Sequence, residues 1–218
     1  LAACIPNSEE DKTCFETNVI GTYNILYICH KYGIRHFIYA SSKEVYGMPL
    51  YLPVDENHPK KPDNFYGFTK LQGENLCEFF AYKHKVKTAI LRYSGVFGPG
   101  KNRGAVYNFF QPAFRNESPD IAEGGNQTKD FVYIGDVVDG TIKALKKVSQ
   151  IDFEVYNIGG GKGVKVCDMA RSIYNLIGSD IKIEDNSTSA LDRFYLDISR
   201  ARKALQYSPR PLEEALIK

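Results

Sequence analysis

Apolar residues recur along this chain at two periods. Between Asp11 and Tyr32 they fall at Phe15, Val19, Tyr23, Leu26 and Tyr27. Spacings of three and four put them on one face of a helix, and Gly33 supplies its stop. The run His36-Phe-Ile-Tyr-Ala40, closed by Ser41-Ser42, is short and unbroken, as in a buried strand. Four prolines between Gly47 and Asn64 mark a long loop. Phe65 to Lys85 returns to helical spacing, with Phe68, Leu71, Leu76, Phe79 and Phe80 apolar, and Thr88 to Tyr93 reads as a second strand. Beyond Gly98-Pro99-Gly100, the pattern predicts a helix over Val106–Phe114, a strand over Phe131–Ile134 and a helix over Asp136–Lys147. It continues with a strand over Val155–Ile158, a helix over Val166–Ile177, a strand over Ile181–Glu184 and a helix over Ser199–Leu205, with Ser199 as its expected cap.

Strands and helices alternate nearly one for one. That order predicts an α/β fold, a doubly wound parallel sheet with helices on both faces. The glycine- and proline-punctuated stretch from Gly98 to Lys129 breaks the alternation and is expected to leave the sheet. The expected division is a sheet lobe from residues 1–93 and 132–158, and a small C-terminal α+β lobe from residues 94–131 and 159–218.

Composition narrows the function classes. The 218 residues carry 28 Lys and Arg against 26 Asp and Glu, a net charge of +2, so there is no basic footprint for nucleic acid. No run of 18 apolar residues marks a membrane span. Cys4, Cys14, Cys29, Cys77 and Cys167 are scattered and odd in number. They read as reduced thiols of an intracellular, cytoplasmic protein rather than a zinc or disulfide framework. The four histidines stand apart, and no metal site is expected.

The candidate chemistry centres on Tyr66-Gly-Phe-Thr-Lys70. Positions i and i+4 of a helix share a face, about 5–6 Å apart at Cβ. An ammonium at that distance is expected to lower the phenol pKa and to fit the tyrosine for acid–base work on a hydroxyl. Tyr39…Lys43 has the same spacing but lies on a strand, where four residues span about 13 Å. Tyr27…Lys31 closes a helix with no polar partner in view. Tyr66 opens its helix directly after a long loop. Ser41-Ser42-Lys43-Glu44 follows the first strand, so its hydroxyls emerge at a strand's carboxyl end, where open α/β sheets bind ligands.

These elements form an ordered series. Asn18-Val-Ile-Gly-Thr22, Ser41-Ser42…Val45-Tyr46-Gly47, Tyr66…Lys70, Leu91-Arg-Tyr93…Gly98-Pro99, Asp130-Phe-Val-Tyr-Ile-Gly-Asp136, Val155-Tyr-Asn-Ile-Gly159 and Asp197-Ile-Ser-Arg-Ala201 follow one another. In this the chain resembles the extended short-chain dehydrogenases, the nucleotide-sugar epimerase and dehydratase group that includes UDP-glucose 4-epimerases. The resemblance implies a Rossmann-like fold, NAD as cofactor and a nucleotide-diphosphate sugar as substrate. It implies Tyr66 as the base at the sugar C4 hydroxyl, Lys70 as its electrostatic partner and ribose holder, and Ser42 as a hydrogen-bond partner of the same hydroxyl. A transient 4-keto sugar would result. Leu1, Ala2, Ala3, Asn18, Ser41 and Tyr93 would line the cofactor; Glu44, Gly95, Lys129 and Arg193 would face the substrate. A homodimer through the helices Asp11–Tyr32 and Phe65–Lys85 is implied as well.

Departures from the family pattern bear on the reaction. Its dehydratases carry Asp directly after the Ser/Thr, where this chain has Lys43, so a 4-epimerase is favoured. Glu44 leaves a decarboxylase open, and a dehydratase, a reductase or a non-enzymatic NAD- or partner-binding relative are the remaining alternatives. The family's substrate-contacting Asn is Gly95 here, and its diphosphate-contacting Arg is Lys129, which keeps charge without the forked geometry. Arg193 is the substitute expected for that contact. Leu1-Ala-Ala3 resembles the end of the family's fourth strand. The chain is therefore expected to lack the glycine-rich phosphate loop, to bind NAD weakly by itself and to expose a sheet edge.

Overall fold

The computed structural model describes residues 3–4, 12–121, 125–183 and 192–217. Helix α1 (Lys12–Phe15) passes through a π-helical turn, Glu16–Ile20, into α2 (Gly21–Lys31). Strand β1 (His36–Ser42) ends in a 3-10 turn, Lys43–Val45; the proline-rich loop follows, then α3 (Phe65–His84) and β2 (Lys87–Tyr93). Next come β3 (Gly95–Phe97), α4 (Ala105–Phe114), β4 (Thr128–Lys129), β5 (Phe131–Tyr133), α5 (Ile134–Lys147) and β6 (Phe153–Ile158). The chain closes with β7 (Val164–Lys165), α6 (Val166–Ile177), α7 (Ser199–Leu205) and α8 (Leu212–Leu216).

The main sheet is parallel, in the order β1-β2-β6. Alternate residues of β2 enter different cores. Ile90 packs with Leu26, Cys77 and Phe80 of α2 and α3, whereas Ala89 and Leu91 pack with Ala144 of α5 and Ala201 and Leu205 of α7. Burial on both faces explains the unbroken apolar run in β2. Among the described residues β1 pairs with β2 alone. The second group of elements forms its own core, in which Phe109 of α4, Met169 and Ile173 of α6 and Leu216 of α8 meet Phe97 of β3. Strand β5 pairs in parallel with β3, and β4 pairs antiparallel with β7.

Most predicted elements are present within a residue or two. Three expectations are corrected. Tyr23 and Tyr27 are 43% and 48% exposed, so the buried stripe of the first helix narrows to Val19, Leu26 and Cys29. Residues 181–183 are not a strand, and Glu184 lies outside the described residues. Ser199 is the first helical residue of α7 rather than its cap; the Asp197 carboxylate accepts the Ser199 N–H at 2.8 Å instead.

Candidate active site

Asn64 builds the entrance to α3. Its side-chain oxygen accepts the Gly67 N–H at 2.8 Å, satisfying one of the free donors of the first turn. Its amide nitrogen donates to Glu44 Oε2 at 3.0 Å, tying the helix start to the turn after β1. Further along, Gly73 lies against the Tyr39 hydroxyl so closely that a β-carbon would overlap it. The helix therefore lies tightly over β1, with Tyr66 at its mouth beside Ser42.

The structure brings Ser42, Tyr66, Lys70 and Glu44 together. Ser42 is half-buried at the end of β1, and its hydroxyl accepts the Glu44 N–H at 3.3 Å. Lys70 is only 3% exposed, and its ammonium lies 4.9 Å from the ring centre of Tyr39 and 5.9 Å from that of Tyr66. Among the described residues no hydrogen bond or salt bridge reaches that ammonium. A donor group without an acceptor among the described residues fits a ligand hydroxyl, such as those of a ribose.

The electrostatics correct one expectation. The Tyr66 phenol is pushed above its ordinary value, first by burial and then by the Glu44 and Cys14 charges, against the pull of Arg103 and Ser42. Burial of the phenol outweighs any help from Lys70. The ammonium is itself pushed down to about 8 by burial, although Cys77, Cys14 and Glu74 act to raise it. Burial also pushes the Glu44 carboxyl up. Lys43 at 2.7 Å, with Asn64 and Lys129, outweighs that and holds it below the usual carboxylate value.

Other expected residues are placed differently. Leu1 and Ala2 lie outside the described residues, and Ala3 is exposed. Asn18 is buried and clamps Cys4: its amide donates to the Cys4 carbonyl at 2.9 Å and accepts the Cys4 N–H at 2.9 Å. It also donates to Thr69 Oγ1 at 2.9 Å, so it joins residue 4 to α3. The Ser41 hydroxyl turns into the core and donates to Glu74 at 2.6 Å, because alternation along β1 aims residues 39 and 41 at α3. The Tyr93 hydroxyl meets Thr141 of α5 at 2.9 Å.

A cavity of about 560 Å³ opens between β3, β5, α4 and α8. Phe97, Phe110, Phe131 and Tyr133 supply apolar walls, and Lys101, Arg103 and Lys129 supply cations. Gly95 also lines it, packed against the Asp130 carbonyl, where a β-carbon would stand 2.7 Å from the oxygen. Arg193 is exposed and does not line the cavity; its backbone bridges Thr128, next to Lys129. Arg103 acts electrostatically on Tyr66 and Lys129 on Glu44, although Ser42, Glu44, Tyr66 and Lys70 do not themselves line the cavity. Sequence reasoning missed Arg103, Glu74 and Arg92. For Arg92 the signal was present, a charged residue in a strand that reads as buried; for Glu74 it was not, since Phe68 and Phe79 mark the other face of α3 and are themselves 41% and 56% exposed. Among the described residues no cluster of His, Cys, Asp and Glu could hold a metal, and no helix is long and apolar enough to cross a membrane.

Known proteins resemble this chain in sequence and fold. Residues 1–159 match the family described as the NAD dependent epimerase/dehydratase family. A provisionally named UDP-glucose 4-epimerase of Methanocaldococcus jannaschii is 39% identical over 201 residues, 89% of this chain and 64% of that protein. The human dTDP-D-glucose 4,6-dehydratase is 33% identical over 178 residues, 81% of this chain and 49% of that protein. The crystal structure of UDP-glucuronic acid 4-epimerase from Bacillus cereus, in complex with UDP-glucuronic acid and NAD, superposes with a TM-score of 0.87 at 30% identity. It covers all of this chain, which spans 71% of that one. With the parallel sheet, the Tyr66–Lys70 face and a match of this extent, the chain belongs to the NAD dependent epimerase/dehydratase family.

Proposed function

We propose that this chain carries the sugar-handling part of an NAD-dependent nucleotide-sugar 4-epimerase. The observation that carries the reading is the meeting of Ser42, Tyr66 and Lys70 at the carboxyl end of β1, with Arg103 of an aromatic-walled cavity acting on Tyr66. Tyr66 is the group that takes and returns the proton of the sugar C4 hydroxyl, and Ser42 holds that hydroxyl by a hydrogen bond. Lys70 offers its unpartnered ammonium to the cofactor ribose and keeps positive charge beside the phenol. When bound, NAD supplies a reversible hydride acceptor, which is what a 4-keto intermediate requires. Lys101, Arg103 and Lys129 suit the diphosphate of the substrate, and the aromatic walls suit its base.

Glu44 favours epimerisation over loss of water. Lys43 and Lys129 hold it as a carboxylate, so it is a poor proton donor to a leaving hydroxide. Decarboxylation of a uronic acid sugar needs no such donor and is the second reading. Asn18 acts through Cys4 rather than by direct contact, and Ser41 serves the core. We assign residues 1–93 and 132–158 to the cofactor side and residues 94–131 and 159–218 to the substrate side. A homodimer through α2 and α3 and a cytoplasmic location belong to the same reading.

The test is turnover of a panel of UDP- and dTDP-sugars by the natural protein that carries this sequence, beside its Tyr66→Phe variant. Interconversion of C4 epimers is expected, with a fall of about 10²–10⁴-fold in the variant. Undiminished turnover by Tyr66→Phe would refute the assignment, and a pentose or 6-deoxy-4-keto product would replace epimerase by decarboxylase or dehydratase.

A further inference from the structure

We propose that Arg92 and Glu74 are positioning residues for this reaction, setting where along the sheet α3 holds Tyr66 and Lys70. Both are buried, at 1% and 2% exposure. The pair is bidentate: Arg92 Nε donates to Glu74 Oε1 at 2.9 Å and Nη2 donates to Oε2 at 2.7 Å. The Ser41 hydroxyl adds a third donor to the same carboxylate at 2.6 Å. Glu74 stands one helical turn from Lys70 and two from Tyr66, on one face of α3. Residues from β1, β2 and α3 thus meet at a single carboxylate.

The other side of the guanidinium reaches across the sheet. Arg92 Nη1 donates to the Tyr46 hydroxyl at 2.8 Å, and that hydroxyl donates to Asn157 Oδ1 on β6 at 2.7 Å. The Asn157 amide nitrogen then donates to the carbonyls of Val54 and Asp197, at 2.9 and 3.1 Å. One buried chain of bonds therefore runs from the catalytic helix to the segment leading into α7.

A buried ion pair is a poor source of net stability, since apolar residues of the same shape serve as well or better. What it supplies is geometry. Apolar contacts between a helix and a sheet tolerate small slides, whereas a forked guanidinium–carboxylate pair does not. A shift of about 1 Å at a reacting group is enough to lower a rate by about 10²-fold.

The proposal rests on Tyr66 and Lys70 being the reacting pair, and its test separates the two readings. Arg92→Lys keeps the charge and loses the fork; Ser41→Ala removes one donor and keeps the ion pair. Each is prepared in the natural protein with ¹³Cζ-labelled tyrosine, the Tyr66 resonance being assigned by its loss in Tyr66→Phe. The expected result for Arg92→Lys is a kcat lower by about 10- to 100-fold, with KM for the sugar nucleotide within about threefold and a displaced Tyr66 resonance. Ser41→Ala is expected to move both in the same direction by less, and it carries the test if Arg92→Lys does not fold. An unmoved Tyr66 resonance, or a kcat within about twofold of the parent, in a cooperatively folded variant would overturn the proposal. An inactive Tyr66→Phe beside a fully active Arg92→Lys overturns this inference alone, and an active Tyr66→Phe overturns the reading beneath it.

Discussion

The backbone carbonyl of Glu44 stands over Gly67 so closely that a β-carbon on Gly67 would overlap the oxygen. The turn after β1 and the first turn of α3 therefore touch backbone to backbone. That contact places Tyr66, the residue before Gly67, beside Ser42. Gly67→Ala is expected to push α3 off the turn and to destabilise the protein by about 1–3 kcal/mol. Urea denaturation checks it, and an unchanged midpoint would show that the turn can yield.

Lys70 ties stability to pH. Burial lowers its ammonium to about 8, against an ordinary value of 10.5. Between those values the unfolded chain binds more protons than the folded one, so stability rises with pH across that window. Below about 8 the cost of burying the cation is fully present. Lys70→Met removes that cost and is expected to be more stable near neutral pH by on the order of 1–3 kcal/mol, with the gap narrowing as the solution becomes alkaline. Urea melts at the two ends of the window check it; a variant less stable than the parent at neutral pH contradicts it.

Asn18 holds Cys4 by a reciprocal pair of hydrogen bonds and also bonds α3 through Thr69. Asn18→Ala removes the acceptor of the Cys4 amide and one of the donors to its carbonyl, which also accepts the Cys14 thiol at 3.3 Å, and losing such bonds costs about 0.5–1.5 kcal/mol each. Hydrogen exchange is the direct measurement. The Cys4 amide should lose its protection while amides in the middle of α3 keep theirs.

Lys43 keeps Glu44 ionised at 2.7 Å, and its ammonium also lies 4.6 Å from the Phe194 ring centre. In Lys43→Met the carboxyl loses its strongest partner, and its pKa is expected to rise. A carboxyl-carbon NMR titration of Glu44 in parent and variant reads this directly. A curve that does not move would show that Asn64 and Lys129 suffice, and would shift the argument about water loss onto them.

The faces of α2 and α3 turned from the sheet carry aromatic residues in the open: Tyr27 is 48% exposed, Phe79 56% and Tyr82 61%. Under the dimer reading these side chains are covered by a second copy, and Phe79→Glu is expected to weaken association by at least tenfold, since burying an unpaired carboxylate costs well over about 1.4 kcal/mol. Sedimentation velocity over a concentration series checks it. A parent protein that is monomeric throughout would remove the reading.

The site was partly legible before any coordinates. Tyr66 and Lys70 could be paired because i and i+4 on a helix must share a face, and the strand at Tyr39 could be set aside on the same arithmetic. Arg92 and Glu74 could not be paired. Arg92 stands out as a charge in an apolar strand and Glu74 does not; they are 18 residues apart, on different elements, and spacing does not show that they face one another. Ser41 and Ser42 are neighbours in sequence, yet one bonds Glu74 in the core and the other stands at the tyrosine.

By itself the sequence determined the alternation of strands and helices, the breaks between them, and the shared face of Tyr66 and Lys70. These follow from periodicity and local sterics, which act over a few residues. Only the tertiary structure decided the sign of the Tyr66 shift, the inward turn of Ser41, the clamp of Asn18 on Cys4 and the aromatic cavity with its three cations. Each depends on burial and on contacts between distant segments. Solvent exclusion and charge proximity are properties of the packed chain, and no local pattern contains them.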